Sequence, residues 1–189
     1  MNQMSPNARD IRAALKDPDL FREAALIDGE WLARADMEVL DPATGAVLGR
    51  MPDCTAAETQ RAIAAAETAM KAWKARTHAE RADLLMAWHQ QILDHADDLA
   101  LILTREQGKP LAEARGEILY GASFVRWFAE EARRINGKII PSPVPGKKIF
   151  AMKEPVGVCA IVTPWNFPNA MITRTVSYTH LTLPTSDLV

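Results

Sequence analysis

The feature that most constrains this chain is an apolar run closed by proline: residues 156–162 read Val-Gly-Val-Cys-Ala-Ile-Val and lead into Thr163, Pro164, Trp165, Asn166, Phe167 and Pro168. A short, β-branched run without polar alternation is the pattern of a strand covered on both faces in a parallel sheet. Pro164 brings no amide to a ladder and ends it. Strands of this kind belong to open α/β architectures, where ligands sit beyond the carboxyl ends of the strands, so residues 163–167 are expected on the functional edge. Asn166 carries two N–H donors and one acceptor. Trp165 and Phe167 are expected to keep water from it, and the flanking prolines stiffen its backbone. A rigid, dry N–H donor suits a developing oxyanion. An Asx turn at a strand end is the other common use of such a residue.

The rest of the chain is read as elements that pack around that edge. Asp28-Gly29 and the Asp-Pro-Ala-Thr-Gly of residues 41–45 are turn compositions between short apolar runs, which predicts small strands and hairpins. Thr55 with Glu58, and Thr77 with Glu80, each have the spacing of a capping box, so a helix is expected to begin after each threonine. Ile63, Ala66, Met70 and Trp73 form an apolar stripe on the first helix, and Leu84, Leu85, Trp88 and Ile92 on the second. A bend or break is expected near His95, with Leu99 and Leu103 beyond it. Gly108 is placed as a carboxyl cap and Pro110 as the start of the next helix. Its stripe runs through Ile118, Ala122, Val125, Phe128, Ala132 and Ile135 to Asn136-Gly137. Residues 141–146, Pro-Ser-Pro-Val-Pro-Gly, are incompatible with helix and predict the tip of a two-stranded excursion, with Ile139-Ile140 facing residues 148–152. An exposed hairpin edge of that kind seeks a partner.

Several function classes are unsupported. With a net charge of −2 and no basic run, the 189-residue chain gives no reason to expect nucleic-acid binding. No apolar stretch approaches membrane-spanning length, and the polar segment before Leu20 lacks a signal-peptide core, which predicts a cytoplasmic protein. Cys54 and Cys159 are the only cysteines, too few for a disulfide framework or a cysteine metal cluster. His78, His89 and His95 lack the spacing and the acidic ligand of a metal site, so none is predicted. Residues 145–148, Pro-Gly-Lys-Lys, lack the second glycine and the hydroxyl residue of a phosphate loop.

Beyond these readings, the chain resembles the aldehyde dehydrogenase superfamily, and within it the succinate-semialdehyde dehydrogenase group. The resemblance covers about residues 20–174 and rests on ordered blocks: ALIDGEW at 25–31, DPATG at 41–45, REQGKPLAEA at 105–114, GEI at 116–118, WFAEEA at 127–132 and the Thr-Pro-Trp-Asn-Phe-Pro segment. It implies the amino-terminal part of that fold: helices and the first strand of an incomplete Rossmann-like sheet, with a β-hairpin oligomerisation arm. The corresponding division is a polar tail (1–19), part of an NAD(P)-binding domain (20–137), the oligomerisation hairpin (138–153), the first strand and Asn loop (154–174) and a terminal segment (175–189). The implied reaction is NAD- or NADP-dependent oxidation of an aldehyde, with succinate semialdehyde favoured over glutarate semialdehyde or another aldehyde. It proceeds through a cysteine thiohemiacetal and a thioester. Asn166 is implied as the oxyanion-stabilising amide, and the backbone of Val162, Thr163, Pro164, Trp165 and Asn166 as the lining of the nicotinamide side. The family binds its dinucleotide without a Gly-x-Gly-x-x-Gly fingerprint, so the lack of one here leaves that reading intact. A homo-tetramer or homo-dimer is implied for the parent, and an inactive assembly fragment is the reading from another class.

Neither cysteine matches the family's nucleophile. Cys159 is expected to be a buried, inert thiol inside the strand, and Cys54 a partly exposed structural one. The nucleophile and the acidic residue that activates water are thus expected outside this chain, which is predicted to be inactive and to fold poorly alone. Arg174 matches the arginine that contacts the substrate's distal acid in semialdehyde dehydrogenases, and guanidinium pairs bidentately with carboxylate. A solvated helix arginine is the alternative. Asn169 departs from the small residue usual at its position. After Arg174 the composition changes abruptly to a threonine-rich stretch, and residues 176–185 look like the in-frame translation of a sequencing adapter. Residues 175–189 are therefore expected to be non-native, which their codons in genomic DNA would overturn; a divergent native terminus is the alternative.

Overall fold

Two reciprocal caps start the helical layer. In a computed structural model that describes residues 8–181, helix α2 (Ala56–Ala75) opens on Thr55, whose hydroxyl accepts from the Glu58 amide while the Glu58 carboxylate accepts from the Thr55 amide. Helix α3 (His78–Asp94) repeats the device with Thr77 and Glu80. Each box satisfies two amides that a helix start otherwise leaves bare. The expected break falls at His95, which closes α3 and precedes α4 (Ala96–Gln107). Gly108 ends α4 in the left-handed region at φ 80°, and α5 (Leu111–Ala132) follows Pro110. Ile118, Ala122, Val125 and Ala132 of the predicted stripe are buried with Leu85, Ile92 and Leu103, forming the main core between α3, α4 and α5.

Upstream, α1 (Ala8–Ala14) and a 3-10 turn (Pro18–Leu20) precede two hairpins. Strands β1 (Ala25–Ile27) and β2 (Glu30–Leu32) are joined by Asp28 and Gly29, both at positive φ, the two-residue turn that suits the twist of a hairpin. Strands β3 (Met37–Leu40) and β4 (Val47–Met51) pair antiparallel around the 41–45 turn. There the Asp41 carboxylate accepts from the Ala43 amide and pairs with Arg105 of α4 at 2.9 Å. Ile11, Leu15, Phe21 and Leu48 make a second, smaller core. It is tied to the first by buried Asp98, which accepts from the backbone amides of Lys16 and Asp17. The predicted excursion is the antiparallel pair β5 (Lys138–Pro141) and β6 (Lys148–Ala151), exposed along its whole length.

The strand expected at 156–162 does not form. The described residues contain three two-stranded antiparallel sheets and no parallel pair, and residues 152–164 carry no regular structure. A strand in a parallel sheet needs strand neighbours on its edges, and none is present among the described residues: between Val158 and Trp165 no backbone group pairs with another there. Cys159 is exposed for the same reason, rather than buried as expected. The apolar stripe of α2 is likewise left open, with no buried residue on that helix and Ile63 45% exposed. An open, mainly apolar notch of about 550 Å³ lies between α2 and the extended segment, lined by Met70, Trp73, Pro155, Val158 and Ile161 among others.

Candidate functional site

Asn166 stands between the extended segment and α6 (Pro168–Leu181). What fixes α6 is its close approach to α5. A Cβ on Gly121 would sit 2.7 Å from Asn169 Oδ1 and from Thr173 Oγ1, and 3.3 Å from Ala170 Cα, so only glycine lets the two helices meet there. Ala170, Thr173 and Ser177 are buried on the facing side of α6, and Phe128 meets Tyr178 edge-on at 5.3 Å. Helix α6 continues through residues 175–181 without a break.

The loop is tied to α5 through one carboxylate. Glu117, 3% exposed, accepts from the amides of Asn169 and Ala170 at 3.0 and 3.2 Å through Oε1. These are free amides of the first turn of α6, and a carboxylate there also meets the positive end of the helix dipole. Its Oε2 pairs with the Lys109 ammonium. Lys109 Nζ in turn donates to the backbone carbonyl of Asn166 at 2.9 Å and lies 4.2 Å from the centre of the Phe167 ring. Gln107 Nε2 donates to the same carbonyl at 3.4 Å. Both ends of the stretch from Asn166 to Ala170 are therefore held by Glu117, one directly and one through Lys109.

The Asn166 carboxamide itself is exposed, and its expected hydrophobic cover is absent: Trp165 is 81% exposed and Phe167 is also exposed. Nothing among the described residues packs over this side of the loop, so the polar donor is positioned without being dry. Val162 is 96% exposed, and together with Thr163, Pro164 and Trp165 it forms a surface of apolar side chains and unpaired backbone groups.

Arg174 lies two turns into α6, exposed, with its guanidinium carbon 5.7 Å from the centre of the Phe124 ring and no acidic partner among the described residues. A guanidinium stacked on an aromatic face keeps its N–H edge for a ligand. Asn169, the departure noted in the sequence, has its Oδ1 buried against α5 without a hydrogen-bond donor. Of the histidines, His89 shares a hydrogen bond with the Ala122 carbonyl at 2.9 Å, which ties α3 to α5. No cluster of three or more potential metal ligands occurs among the described residues. No helix among them is long and apolar enough to cross a membrane.

Sequence reading missed Glu117 and Lys109 as site residues, although both fall in blocks that carry the resemblance. The signal was present in the spacing. Glu117 stands three residues after Ala114 and four before Gly121, on the buried face of α5, where an unpaired charge is not tolerated.

Comparison with known proteins identifies the fold that carries these residues. The model of the aldehyde dehydrogenase family matches residues 31–181. Glutarate-semialdehyde dehydrogenase of Pseudomonas putida is 53% identical over 163 residues, which cover 85% of this chain and 34% of that protein. The NADP(+) succinate-semialdehyde dehydrogenase of Escherichia coli gives the same identity and the same shares. The crystal structure of succinate-semialdehyde dehydrogenase from Burkholderia pseudomallei superposes with a TM-score of 0.87 at 53% identity, over 90% of this chain and 36% of that one. The chain thus spans about a third of the length of these relatives.

Proposed function

The chain belongs to the aldehyde dehydrogenase family, and from that premise we propose that it is the segment of an NAD(P)-dependent semialdehyde dehydrogenase that supplies the oxyanion-stabilising amide, Asn166. The observation that carries this reading is the tethering of the Asn166 backbone by Lys109 and Glu117 at the start of α6, with Asn166 itself left exposed. A donor whose backbone is held in place meets one requirement of charge stabilisation, and the dry surroundings that are the other would come from the rest of the parent enzyme.

When bound, the dinucleotide accepts the hydride released from the aldehyde carbon. Val162, Thr163, Pro164 and Trp165 would line its nicotinamide side. Asn166 would donate from Nδ2 to the substrate oxygen as negative charge gathers on it, at the addition of a thiolate and again at thioester hydrolysis. Arg174 would pair with the distal carboxylate of the substrate. This favours succinate semialdehyde, with glutarate semialdehyde the neighbouring choice, and both activities occur among the relatives by name. We assign the nucleophile to neither Cys54, ahead of α2, nor Cys159, on the open extended segment. The thiolate and the water-activating carboxylate are assigned to the remaining two thirds of the enzyme. The exposed β5–β6 arm is assigned to assembly of the parent oligomer.

The test is a full-length enzyme made by joining residues 25–174 to the remainder of the Escherichia coli relative. Replacing Asn166 by Ala there is expected to lower kcat by about 100- to 1,000-fold, the usual cost of one oxyanion donor, with dinucleotide affinity unchanged. Unaltered turnover would remove Asn166 from the chemistry.

A further inference from the structure

We propose that Glu117 and Lys109 are positioning residues for the reaction, a buried ion pair that sets the register of the Asn166 carboxamide relative to α6. The inference deepens the reading above and rests on Asn166 being the oxyanion donor.

The argument begins with cost. Taking a carboxylate and an ammonium out of water carries a penalty of several kcal/mol per ion, and a well-packed apolar pair in their place is often neutral or stabilising. Capping the α6 amides gives Glu117 a reason to be an acceptor at 3% exposure in the middle of an apolar helix face, but a neutral glutamine would meet much of that need without the cost of a buried charge. The contacts of Glu117 supply a different reason. Oε1 takes the amides of Asn169 and Ala170, while Oε2 holds Lys109, which holds the Asn166 carbonyl. A single rigid group thus binds the chain on both sides of Pro168. The peptide between them can neither slide along α5 nor rotate about the loop without breaking one of those bonds.

Lys109 is itself fixed. The left-handed Gly108 turns the chain out of α4, Pro110 begins the approach to α5, and the ammonium rests against the Phe167 ring. Replacing Lys109 leaves the Asn166 carbonyl only the longer bond from Gln107 at 3.4 Å, whereas replacing the Glu117 carboxylate loosens Lys109 and the α6 amides together. Both act on the carboxamide through backbone placement, since neither side chain contacts the Asn166 side chain. Misplacing a reacting group by about 1 Å costs up to about 100-fold in rate. An error of that size lies within what the loop gains when the tether is lost.

The test uses the same joined enzyme and a double-mutant cycle. Glu117→Gln keeps the size and one acceptor for the α6 amides but removes the charge that holds Lys109. It is expected to lower kcat by about tenfold or more, with KM for the aldehyde and Kd for the dinucleotide changed less than about twofold. Lys109→Met should behave alike, and Lys109→Arg should recover most of the loss. In an Asn166→Ala background, Glu117→Gln should cost less than about twofold further, because the group it positions is gone. An equal loss in both backgrounds would overturn the proposal by making Glu117 a fold residue independent of Asn166, and unchanged kcat would overturn it outright. Where the Gln variant fails to fold, the cycle with Lys109→Met decides on the same criteria. If Asn166→Ala alone leaves kcat intact, the oxyanion assignment fails first and the positioning role falls with it.

Discussion

Helix α5 and the segment at 156–162 are both rich in apolar residues, yet they end in opposite environments. In α5, Ile118 and Val125 are at most 1% exposed; in the segment, Val156 is 64% and Val162 is 96% exposed. The helix closes its own backbone hydrogen bonds and needs cover on only one face, which α3, α4 and α6 provide. A strand closes none of its own. It becomes a strand only when neighbours meet its edges and helices its faces, and the described residues supply no strand to meet its edges. The contrast should be largest in amide hydrogen exchange of the expressed chain. The α5 amides between Ile118 and Ala129 are expected to be protected by orders of magnitude, and the 158–163 amides to exchange near the rate of an unstructured peptide. Comparable protection of the two stretches would break the comparison. Protection appearing at 158–163 only in the joined full-length enzyme would sharpen it, by locating the missing partners in the rest of the fold.

A second contrast lies within α5. Gly116 and Gly121 are one turn and a little more apart, but a Cβ on Gly116 meets nothing within 4 Å, while one on Gly121 meets Asn169 and Thr173 at 2.7 Å. In the helix interior alanine is favoured over glycine by about 1 kcal/mol. At Gly116 that gain is unopposed, so Gly116→Ala should stabilise by about 0.4–1 kcal/mol. At Gly121 it is opposed by overpacking that costs about 1–3 kcal/mol and pushes α6 away, so the net effect should be a loss. Urea midpoints of the two variants decide it. A gain at both positions would mean that α6 is not held against α5 as described, and the site built on that contact would lose its support.

What was legible in the sequence follows the same division. Thr55 with Glu58, Thr77 with Glu80, the break at His95 and the cap at Gly108 were all readable, because each is decided by residues within one turn of chain. The hairpin turns at Asp28-Gly29 and at 141–146 were readable for the same reason. The strand at 156–162, the burial of Cys159 and the dry cover over Asn166 were not, because each depends on packing partners that are not adjacent in sequence and that the described residues do not supply. The Glu117 to Lys109 tether sits between these cases. Its members are eight residues apart, but its target, the Asn166 loop, lies about fifty residues further along. Only a charged residue on a buried helix face hinted at it.

The smallest effect separates local from distant support at the two capping boxes. Glu80 is held below the ordinary carboxylate range chiefly by the Thr77 amide and hydroxyl. Glu58 is held lower, at about 2, first by hydrogen bonds from Arg34, which comes from the strand side of the molecule, and then by the Thr55 amide. Both carboxylates are depressed in the folded state, so each contributes stability that is complete above the unfolded value of 4.5 and is lost as pH falls through the folded value. The Glu80 contribution should therefore fade first, and that of Glu58 should persist to about pH 2. Melting temperatures of Glu58→Gln and Glu80→Gln against the parent chain, taken from pH 7 downward, measure this directly. The deficit of Glu80→Gln should close at a higher pH than that of Glu58→Gln. The reverse order would show that Arg34 does not reach Glu58 in solution, and that the first box, like the second, is a purely local device.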